Sequence, residues 1–176
     1  MPLRAATLER LNEWDRSCTR RLNAGVGIGP VRVLFRVVSR LGNGALWYAL
    51  MIALGLAAGR PGLEAAVRMA AAGAIGLAAY KLLKSRMSRP RPYQAIAGIR
   101  AGIDPLDAFS FPSGHTLHAV AFTIIAVVYF PLLAWALVPF TLLVAVSRIV
   151  LGLHYPSDVL AGAAIGAGIA EAALLL

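Results

Sequence analysis

The sequence predicts an all-α membrane protein, a polytopic helical bundle with about five transmembrane helices and an N-terminal amphipathic helix at the membrane interface. Of the 176 residues, 59% are hydrophobic and only 14% are charged. Soluble domains contain about 45–50% apolar and about 25% charged residues, so this composition excludes an ordinary soluble domain and a disordered chain. The single cysteine, Cys18, excludes an internal disulfide.

Five apolar stretches are each close to the roughly 20 residues that a helix needs to cross a hydrocarbon core. These stretches are residues 42–59, 63–83, 113–130, 131–152 and 157–176. The segment before them differs, because arginines interrupt every apolar run. Arg32, Arg36 and Arg40 recur every fourth residue beside apolar side chains, which is typical of a helix lying among lipid headgroups. We therefore expect an interfacial segment at 1–40 and a transmembrane domain at 41–176.

The basic residues are distributed very unevenly between the two faces that five spans would create. Of the 17 Lys and Arg residues, only Arg60 and Arg68 fall on the face opposite the N-terminal segment. Cytoplasmic segments of membrane proteins carry the excess of Lys and Arg. We therefore expect a multi-pass protein of the cell (inner) membrane whose crowded basic face is cytoplasmic.

Three polar clusters converge on that basic face. They are residues 84–92, 112–115 and 147–158. Two of the three histidines, His115 and His154, lie in these clusters at the starts of membrane helices, beside guanidinium and ammonium groups. Ionisable residues near a membrane interior are costly, which indicates a functional site.

The residue types in these clusters favour phosphoryl transfer. A neutral imidazole at His154 can attack phosphorus and form a phosphohistidine, which divides a difficult hydrolysis into two displacements. Asp158 lies one helical turn further on, where its carboxylate can fix the imidazole tautomer and offset the growing imidazolium charge. His115 would protonate the leaving oxygen and then activate water in the second step.

The other polar residues of the clusters are suited to bind a phosphate. Lys84, Arg91 and Arg148 can clamp phosphoryl oxygens, the arginines in bidentate fashion. Ser113 and Gly114 add a hydroxyl and backbone N–H groups at a helix N-terminus, which attracts anions. The scheme requires no metal and no cofactor, and the histidines and acidic residues lack the spacing of a metal site.

Three motifs in order carry a resemblance to a known family. They are Lys84, six residues and Arg91-Pro92, then Pro112-Ser-Gly-His115, then Ser147-Arg148, five residues, His154, three residues and Asp158. This order resembles the tripartite signature of the type 2 phosphatidic acid phosphatase superfamily. The resemblance implies metal-independent hydrolysis of a phosphomonoester or diphosphate of a phospholipid or polyprenyl lipid. It therefore implies a membrane lipid phosphate as substrate, the bilayer as surroundings and no nucleic-acid partner.

Other functions remain open at this point. A lipid phosphotransferase would pass the phosphate to an acceptor other than water, because a phosphohistidine does not dictate its acceptor. A vanadate-dependent haloperoxidase-like enzyme would use a similar pocket, although those enzymes are soluble. A non-catalytic lipid-binding or transport protein would be expected to lack one of the two histidines, and both are present.

Several polar residues outside the motifs are expected to have structural roles. Topology signals or contacts with anionic lipid are expected for Arg86, Arg89 and Arg100. Asp104 and Asp107 could orient a lipid headgroup, but a role as turn residues beside Pro105 is favoured. His118 is expected to pack within the bundle. Tyr80 and Tyr155 fit the aromatic belt at the membrane interface.

Overall fold

The computed structural model describes residues 2–175, with side chains from residue 6 onward, and this part of the chain is all-helical apart from its loops. The helices are α1 (Pro2–Asn23), α2 (Gly29–Leu41), α3 (Ala45–Ala57), α4 (Gly59–Arg86), α5 (Pro92–Ala95), α6 (Gly114–Tyr129), α7 (Ala134–Val150) and α8 (Pro156–Leu175). Short 3₁₀ turns precede α2 and α7. Met1 and Leu176, at the ends of the two expected segments, lie outside the described residues.

All five apolar stretches form helices, which confirms the predicted all-α membrane bundle. Within the described residues, three of these helices are long and apolar enough to cross a membrane: Gly59–Arg86, Pro131–Val150 and Pro156–Leu175. The other two are shorter, with 13 residues in α3 and 16 in α6. Gly44 has a φ of 119° before α3, and Pro131 follows α6, so local turns limit both helices.

The N-terminal segment contains two helices, a finer division than the one amphipathic helix expected there. Residues Ala6–Gly27 and Gly29–Leu41 meet at an angle of 110°. The glycine-rich junction between them disfavours a continuous helix. Helix α2 packs against α7, with Val38 and Ser39 buried, and leaves Val33 and Val37 exposed.

Helix α6 lies at the centre of the bundle and packs against α4, α7 and α8. Its closest neighbour is α8, where Gly162 and Gly166 replace larger side chains. A Cβ at Gly162 would lie 2.5 Å from the carbonyl oxygen of Ser113, and one at Gly166 would clash with the backbone of Leu117. Small residues therefore allow close backbone contact, which is how helices associate where lipid supplies no hydrophobic drive.

The polar ends of four helices meet on one side of the bundle, as the span count predicted. The N–H of Ser113, before α6, donates to the carbonyl of Asp158 in α8 at 3.1 Å. The long loop after α4 folds over the α7–α8 turn, where the N–H of Gly102 donates to Leu151 at 2.9 Å. Asn23 at the end of α1 donates to the carbonyl of Val150 at 2.8 Å. The N-terminal segment therefore packs on the same side as the three polar clusters.

Candidate active site

A cavity of about 510 Å³ lies between α3, α4 and α6, with residues of the long loop and the α7–α8 turn at its polar end. That polar end is lined by Arg91, Asp107, His115, Arg148 and His154. The rest of the lining is mainly apolar and includes Trp47, Met51, Met69, Leu77 and Phe122. The cavity therefore combines an anion-binding end with a long apolar wall inside the membrane.

His154 is held between a cation and a carboxylate in the turn before α8. Its side chain is 2% exposed, its Nε2 lies 3.3 Å from Nη1 of Arg91, and its Nδ1 lies 3.7 Å from Oδ2 of Asp158. The N–H of Tyr155 donates to the same Asp158 oxygen at 2.9 Å and fixes the carboxylate. Because a guanidinium only donates, Nε2 is the unprotonated nitrogen of the neutral ring and the proton lies on Nδ1, which is close to Asp158 but has no hydrogen-bond partner among the described residues.

The imidazole of His154 is kept neutral by its surroundings. Burial, together with the charges of Arg148 and Arg91, lowers the pKa of His154 to about 4, although the Asp158 carboxylate acts in the opposite direction. A neutral ring with an unprotonated Nε2 is the form that can attack phosphorus once that nitrogen exchanges Arg91 for the phosphoryl group.

Arg91 is fixed by contacts from all sides of its guanidinium. It is 1% exposed, and its Nη1 donates to the carbonyl of Leu153 at 2.8 Å. Its Nη2 donates to Oδ1 of Asp107 at 2.8 Å, and its Nε donates to the Asp107 carbonyl at 3.1 Å. This bracing holds Nη1 against His154.

Asp107 belongs to the site, although the sequence favoured a role as a turn residue over a contact with a lipid headgroup. Its carboxylate pairs with Lys84 Nζ at 2.5 Å as well as with Arg91, and it accepts a hydrogen bond from the hydroxyl of Tyr80. Burial alone would raise the pKa of Asp107, but the hydrogen bonds from Lys84 and Tyr80 and the nearby positive charges lower it to about 2. Asp107 therefore stays charged and pairs with two of the expected phosphate-binding cations.

Tyr80 also belongs to this cluster, which corrects its expected place in the interfacial aromatic belt. Lys84 Nζ donates to the Tyr80 hydroxyl at 2.9 Å, a contact that the four-residue spacing on α4 could have indicated. The tyrosine ring also explains Gly114, because a Cβ there would lie 2.8 Å from Cε2 of Tyr80. No local pattern links Asp107 to the other two residues.

Arg148 and His115 complete the polar lining of the cavity. Arg148 is 3% exposed, and its Nη1 donates to the hydroxyl of Ser39 in α2 at 2.5 Å. Its Nε is buried and has no hydrogen-bond partner among the described residues. An unpaired buried donor at a cavity is a natural contact for an anion. His115 lies in the first turn of α6 and reaches the same cavity.

Three of the expected site residues are near the cavity without lining it. Lys84 contacts Asp107, and Asp158 lies beside His154; in each case the second residue lines the cavity. Ser113 is fully buried and shares a 2.9 Å hydrogen bond with Thr116. His118 lines the cavity, and its Nδ1 lies 2.9 Å from the Gly114 carbonyl, to which it can donate, as expected for a packed bundle residue.

Arg89 corrects the expectation that it is a topology signal or a lipid contact. Its Nη1 donates to Oδ1 of Asp158 at 2.6 Å, and its Nη2 donates to Oδ2 of Asp15 at 2.7 Å. Burial would lower the pKa of Arg89, but Asp158 and Asp15 raise it. The guanidinium also lies 4.0 Å from the ring centre of Tyr155, which is buried beneath it rather than in the interfacial belt. Arg86 and Arg100, by contrast, are exposed.

The described side chains offer no grouping of three His, Cys, Asp or Glu residues close enough to hold a metal ion. The polar end of the cavity instead brings together one buried neutral imidazole, a second histidine and two buried guanidinium groups. Such a set can bind a phosphoryl group and provide both a nucleophile and a proton donor.

Fold and site together define a multi-pass membrane protein with a histidine and arginine pocket at one end of a helical bundle. The PAP2 superfamily matches residues 62–176, and the chain belongs to this superfamily. The match covers α4 through α8, the helices that carry the three motifs.

Individual relatives match over shorter segments. A lipid A 1-phosphatase of Rhizobium johnstonii is 41% identical over 58 residues, which cover 33% of this chain and 24% of that protein. An undecaprenyl-diphosphatase of Bacillus subtilis is 39% identical over 88 residues, which cover 50% of this chain and 45% of that protein. The chain thus spans less than half the length of these curated relatives.

Two crystal structures share the fold over almost the whole chain. LpxE of Aquifex aeolicus has a TM-score of 0.76 at 24% identity, covering 91% of this chain and 94% of that one. A transmembrane PAP2-type phosphatidylglycerolphosphate phosphatase of Bacillus subtilis has a TM-score of 0.72 at 22% identity, covering 94% and 85%. The shared fold therefore extends beyond residues 62–176, the part that the family model matches.

Proposed function

We propose that this protein is an integral membrane lipid phosphatase that hydrolyses a phosphomonoester or diphosphate of a phospholipid or polyprenyl lipid, without a metal. The observation that carries the proposal is the position of His154, buried between Arg91 and Asp158 at the polar end of an otherwise apolar cavity. The relatives named as lipid A 1-phosphatase and undecaprenyl-diphosphatase support the same class of substrate.

In the first step, Nε2 of His154 attacks phosphorus and the ester or anhydride oxygen leaves. The ring becomes a positively charged phosphohistidine, and the Asp158 carboxylate beside Nδ1 stabilises that charge. His115, on the same cavity wall, donates a proton to the leaving oxygen. In the second step the imidazole of His115 removes a proton from a water molecule, and the water oxygen attacks phosphorus. The bond between phosphorus and Nε2 breaks, which releases His154 and inorganic phosphate.

Charge on the phosphoryl oxygens is balanced by the cationic residues of the site. Arg91 and Arg148 both line the cavity, where their guanidinium charges favour a phosphoryl group. Lys84 contributes its charge from behind Asp107. Gly114 offers backbone at the N-terminus of α6, where the N–H groups and the helix dipole favour an anion.

The apolar part of the cavity supports a lipid rather than a soluble phosphate ester. It follows α3 and α4 from the polar end into the membrane-spanning region, past Trp47, Met69 and Leu77. Contact with such a wall is favourable for a hydrocarbon chain because it keeps apolar surface away from water. The chain can therefore stay among apolar side chains and lipid while the headgroup reaches His154.

Phosphate release by the purified protein in mixed micelles tests the proposal. The substrates are phosphatidic acid, phosphatidylglycerol phosphate, lipid A, and prenyl monophosphates and diphosphates, each assayed with a chelator present. We expect release from at least one lipid by the wild-type protein and a loss of about 10³-fold or more in His154→Gln. Release that requires a divalent metal, or that survives in folded His154→Gln, would contradict the mechanism.

The orientation of the site is part of the proposal, and the distribution of Lys and Arg supports a cytoplasmic face. Two single-cysteine proteins in a Cys18→Ser background test it: Ala101→Cys in the exposed part of the long loop and Arg60→Cys at the opposite end. We expect a membrane-impermeant thiol reagent to label only Arg60→Cys in intact cells. Labelling of Ala101→Cys alone would place the site outside.

A further inference from the structure

A buried charge network connects the N-terminal helix to the carboxylate behind His154. Asp15 in α1 is fully buried, and its Oδ1 accepts the N–H of Ser157 at 2.9 Å. Its Oδ2 accepts the Ser157 hydroxyl at 2.5 Å and Arg89 Nη2 at 2.7 Å. Helix α1 therefore holds the first turn of α8 and the end of the Arg89 side chain at the same time.

Arg89 forms the bridge between Asp15 and Asp158. Its Nη1 donates to Oδ1 of Asp158 at 2.6 Å and to Oγ of Ser157 at 2.7 Å, while Nη2 is held by Asp15. A planar guanidinium with two separate Nη groups can serve both carboxylates without rotating. The position of one Asp158 oxygen is thus set from outside the motif that contains it.

The two oxygens of Asp158 have different partners. Oδ1 is held by Arg89, and Oδ2 accepts the Tyr155 N–H and faces Nδ1 of His154. Because a carboxylate is rigid, the contact at Oδ1 determines where Oδ2 points. Asp15, Arg89 and Asp158 do not line the cavity, so they can influence His154 without contacting the substrate.

Asp15 also sets the charge of the network. Arg89 and Asp158 alone would be a neutral pair, with little charge left to stabilise an imidazolium at His154. With Asp15 included, the three groups carry a net charge of −1. Asp15 and Asp158 are both fully buried, where charges are weakly screened by solvent.

We propose that Asp15 and Arg89 are positioning residues of the active site, which act through Asp158 to hold and charge-stabilise the His154 nucleophile. This inference rests on the proposed phosphatase function. It gives the N-terminal segment a role in the reaction that the three motifs do not contain.

The first test compares two substitutions on α1 that remove the same charge. Asp15→Asn breaks the network, while Glu13→Gln changes an exposed side chain two residues away. We expect kcat to fall about 10- to 100-fold in Asp15→Asn with KM within about threefold of wild type, because misplacing a catalytic group affects the chemical step. Glu13→Gln should match wild type, and equal kcat in the two variants would overturn the proposal.

A double-mutant cycle tests whether Asp15 acts through Asp158. In an Asp158→Asn background, the carboxylate that Asp15 positions is already absent. Adding Asp15→Asn to that background should therefore lower kcat by a further factor of less than about three. A residue that only stabilises the fold would lower kcat by the same factor in both backgrounds. That additive result would contradict the proposed connection.

A second variant covers the case in which Asp15→Asn does not fold, judged by thermal unfolding in detergent. Arg89→Lys keeps the charge but lacks the fork that reaches both carboxylates, and exposed Arg86→Lys is its control. We expect about a tenfold lower kcat in Arg89→Lys only. A folded Arg89→Lys with wild-type kcat would overturn the proposal.

A binding measurement separates this inference from the phosphatase proposal. Orthovanadate resembles the phosphoryl group in its transition state, and its binding to His154 needs no turnover. If wild type releases no phosphate from any lipid, the phosphatase proposal fails, and vanadate affinity still tests the network. We expect about tenfold weaker binding in Asp15→Asn and no change in Glu13→Gln. Equal affinities in the two variants would contradict the positioning role.

Discussion

Two regions of the molecule meet at the site, and they contribute to it in different ways. Residues 84–158 supply the groups that line or adjoin the polar end of the cavity, within three short motifs. The N-terminal segment supplies no nucleophile or proton donor to the lining, yet Asp15 and Ser39 are buried against Arg89 and Arg148. The candidate reacting groups are therefore concentrated in short motifs, while the positions of their charged neighbours depend on helices that are distant in sequence.

Among the variants that test this comparison, the largest effect should come from Arg91→Lys, which keeps the charge of a motif residue but replaces its planar guanidinium by an ammonium. In Arg91→Lys, the contacts to Leu153, Asp107 and His154 cannot all be made by one ammonium. We expect kcat/KM for phosphate release to fall about 100-fold, because the cation is no longer held in a fixed position against His154 at the polar end of the cavity. Arg86→Lys, on an exposed residue nearby, should change it by less than about twofold. An Arg91→Lys variant with wild-type kcat/KM would mean that only the charge at this position matters.

The next effect concerns pH, because His154 is neutral and buried in the folded protein. Its pKa falls from 6.5 to about 4 on folding, so the unfolded chain binds more protons between these values. This contribution to stability is complete above pH 6.5 and is lost as the pH falls to 4. Between these values the folding equilibrium constant falls about tenfold per pH unit.

The measurement is chemical unfolding in detergent at several pH values, for wild type and for His154→Gln. The free energy of unfolding of wild type should fall relative to that of His154→Gln as the pH falls from 6.5 to 4. Above that window the difference between the two proteins should stay constant. Asp107 has its pKa lowered to about 2, so its contribution is lost only as the pH falls from 3.8 toward that value. A constant difference from pH 7 to 4 would show that His154 is not kept neutral by burial.

A smaller effect is expected where a residue of the long loop competes with the substrate. Asp107 pairs with Lys84 and Arg91, so a phosphate binding to these cations has to replace the carboxylate. In Asp107→Asn, we expect inorganic phosphate to inhibit about five- to tenfold more strongly, because one competing charge is removed. Asp104→Asn, an exposed residue in the same loop, is the matched control. Weaker inhibition in Asp107→Asn would show instead that Asp107 helps to build the phosphate site.

The fold and the motif residues were largely predictable, and the reasons are physical. Apolar runs near the length of a bilayer predict spans, and counting them placed the polar helix ends on one side, where Ser113 contacts Asp158. Asp15, Ser39 and Asp107 were not predictable, because each contacts a partner far away in sequence, 109 residues in the case of Ser39 and Arg148. A lone acidic or hydroxyl residue carries no periodic pattern that reveals such a partner.

The smallest effect tests the second contact between the N-terminal segment and a motif arginine. Arg148 donates from Nη1 to Ser39, and its Nε has no partner among the described residues, so Ser39 alone fixes one side of the guanidinium. In Ser39→Ala we expect kcat/KM to fall about threefold, because Arg148 keeps its charge but gains freedom to rotate away from the phosphoryl group. Ser85→Ala, which removes an exposed hydroxyl bonded only to its own helix, should have no effect on phosphate release. If Ser39→Ala also matches wild type, the support that α2 gives to Arg148 is dispensable, and the influence of the N-terminal segment on the site is confined to Asp15 and Arg89.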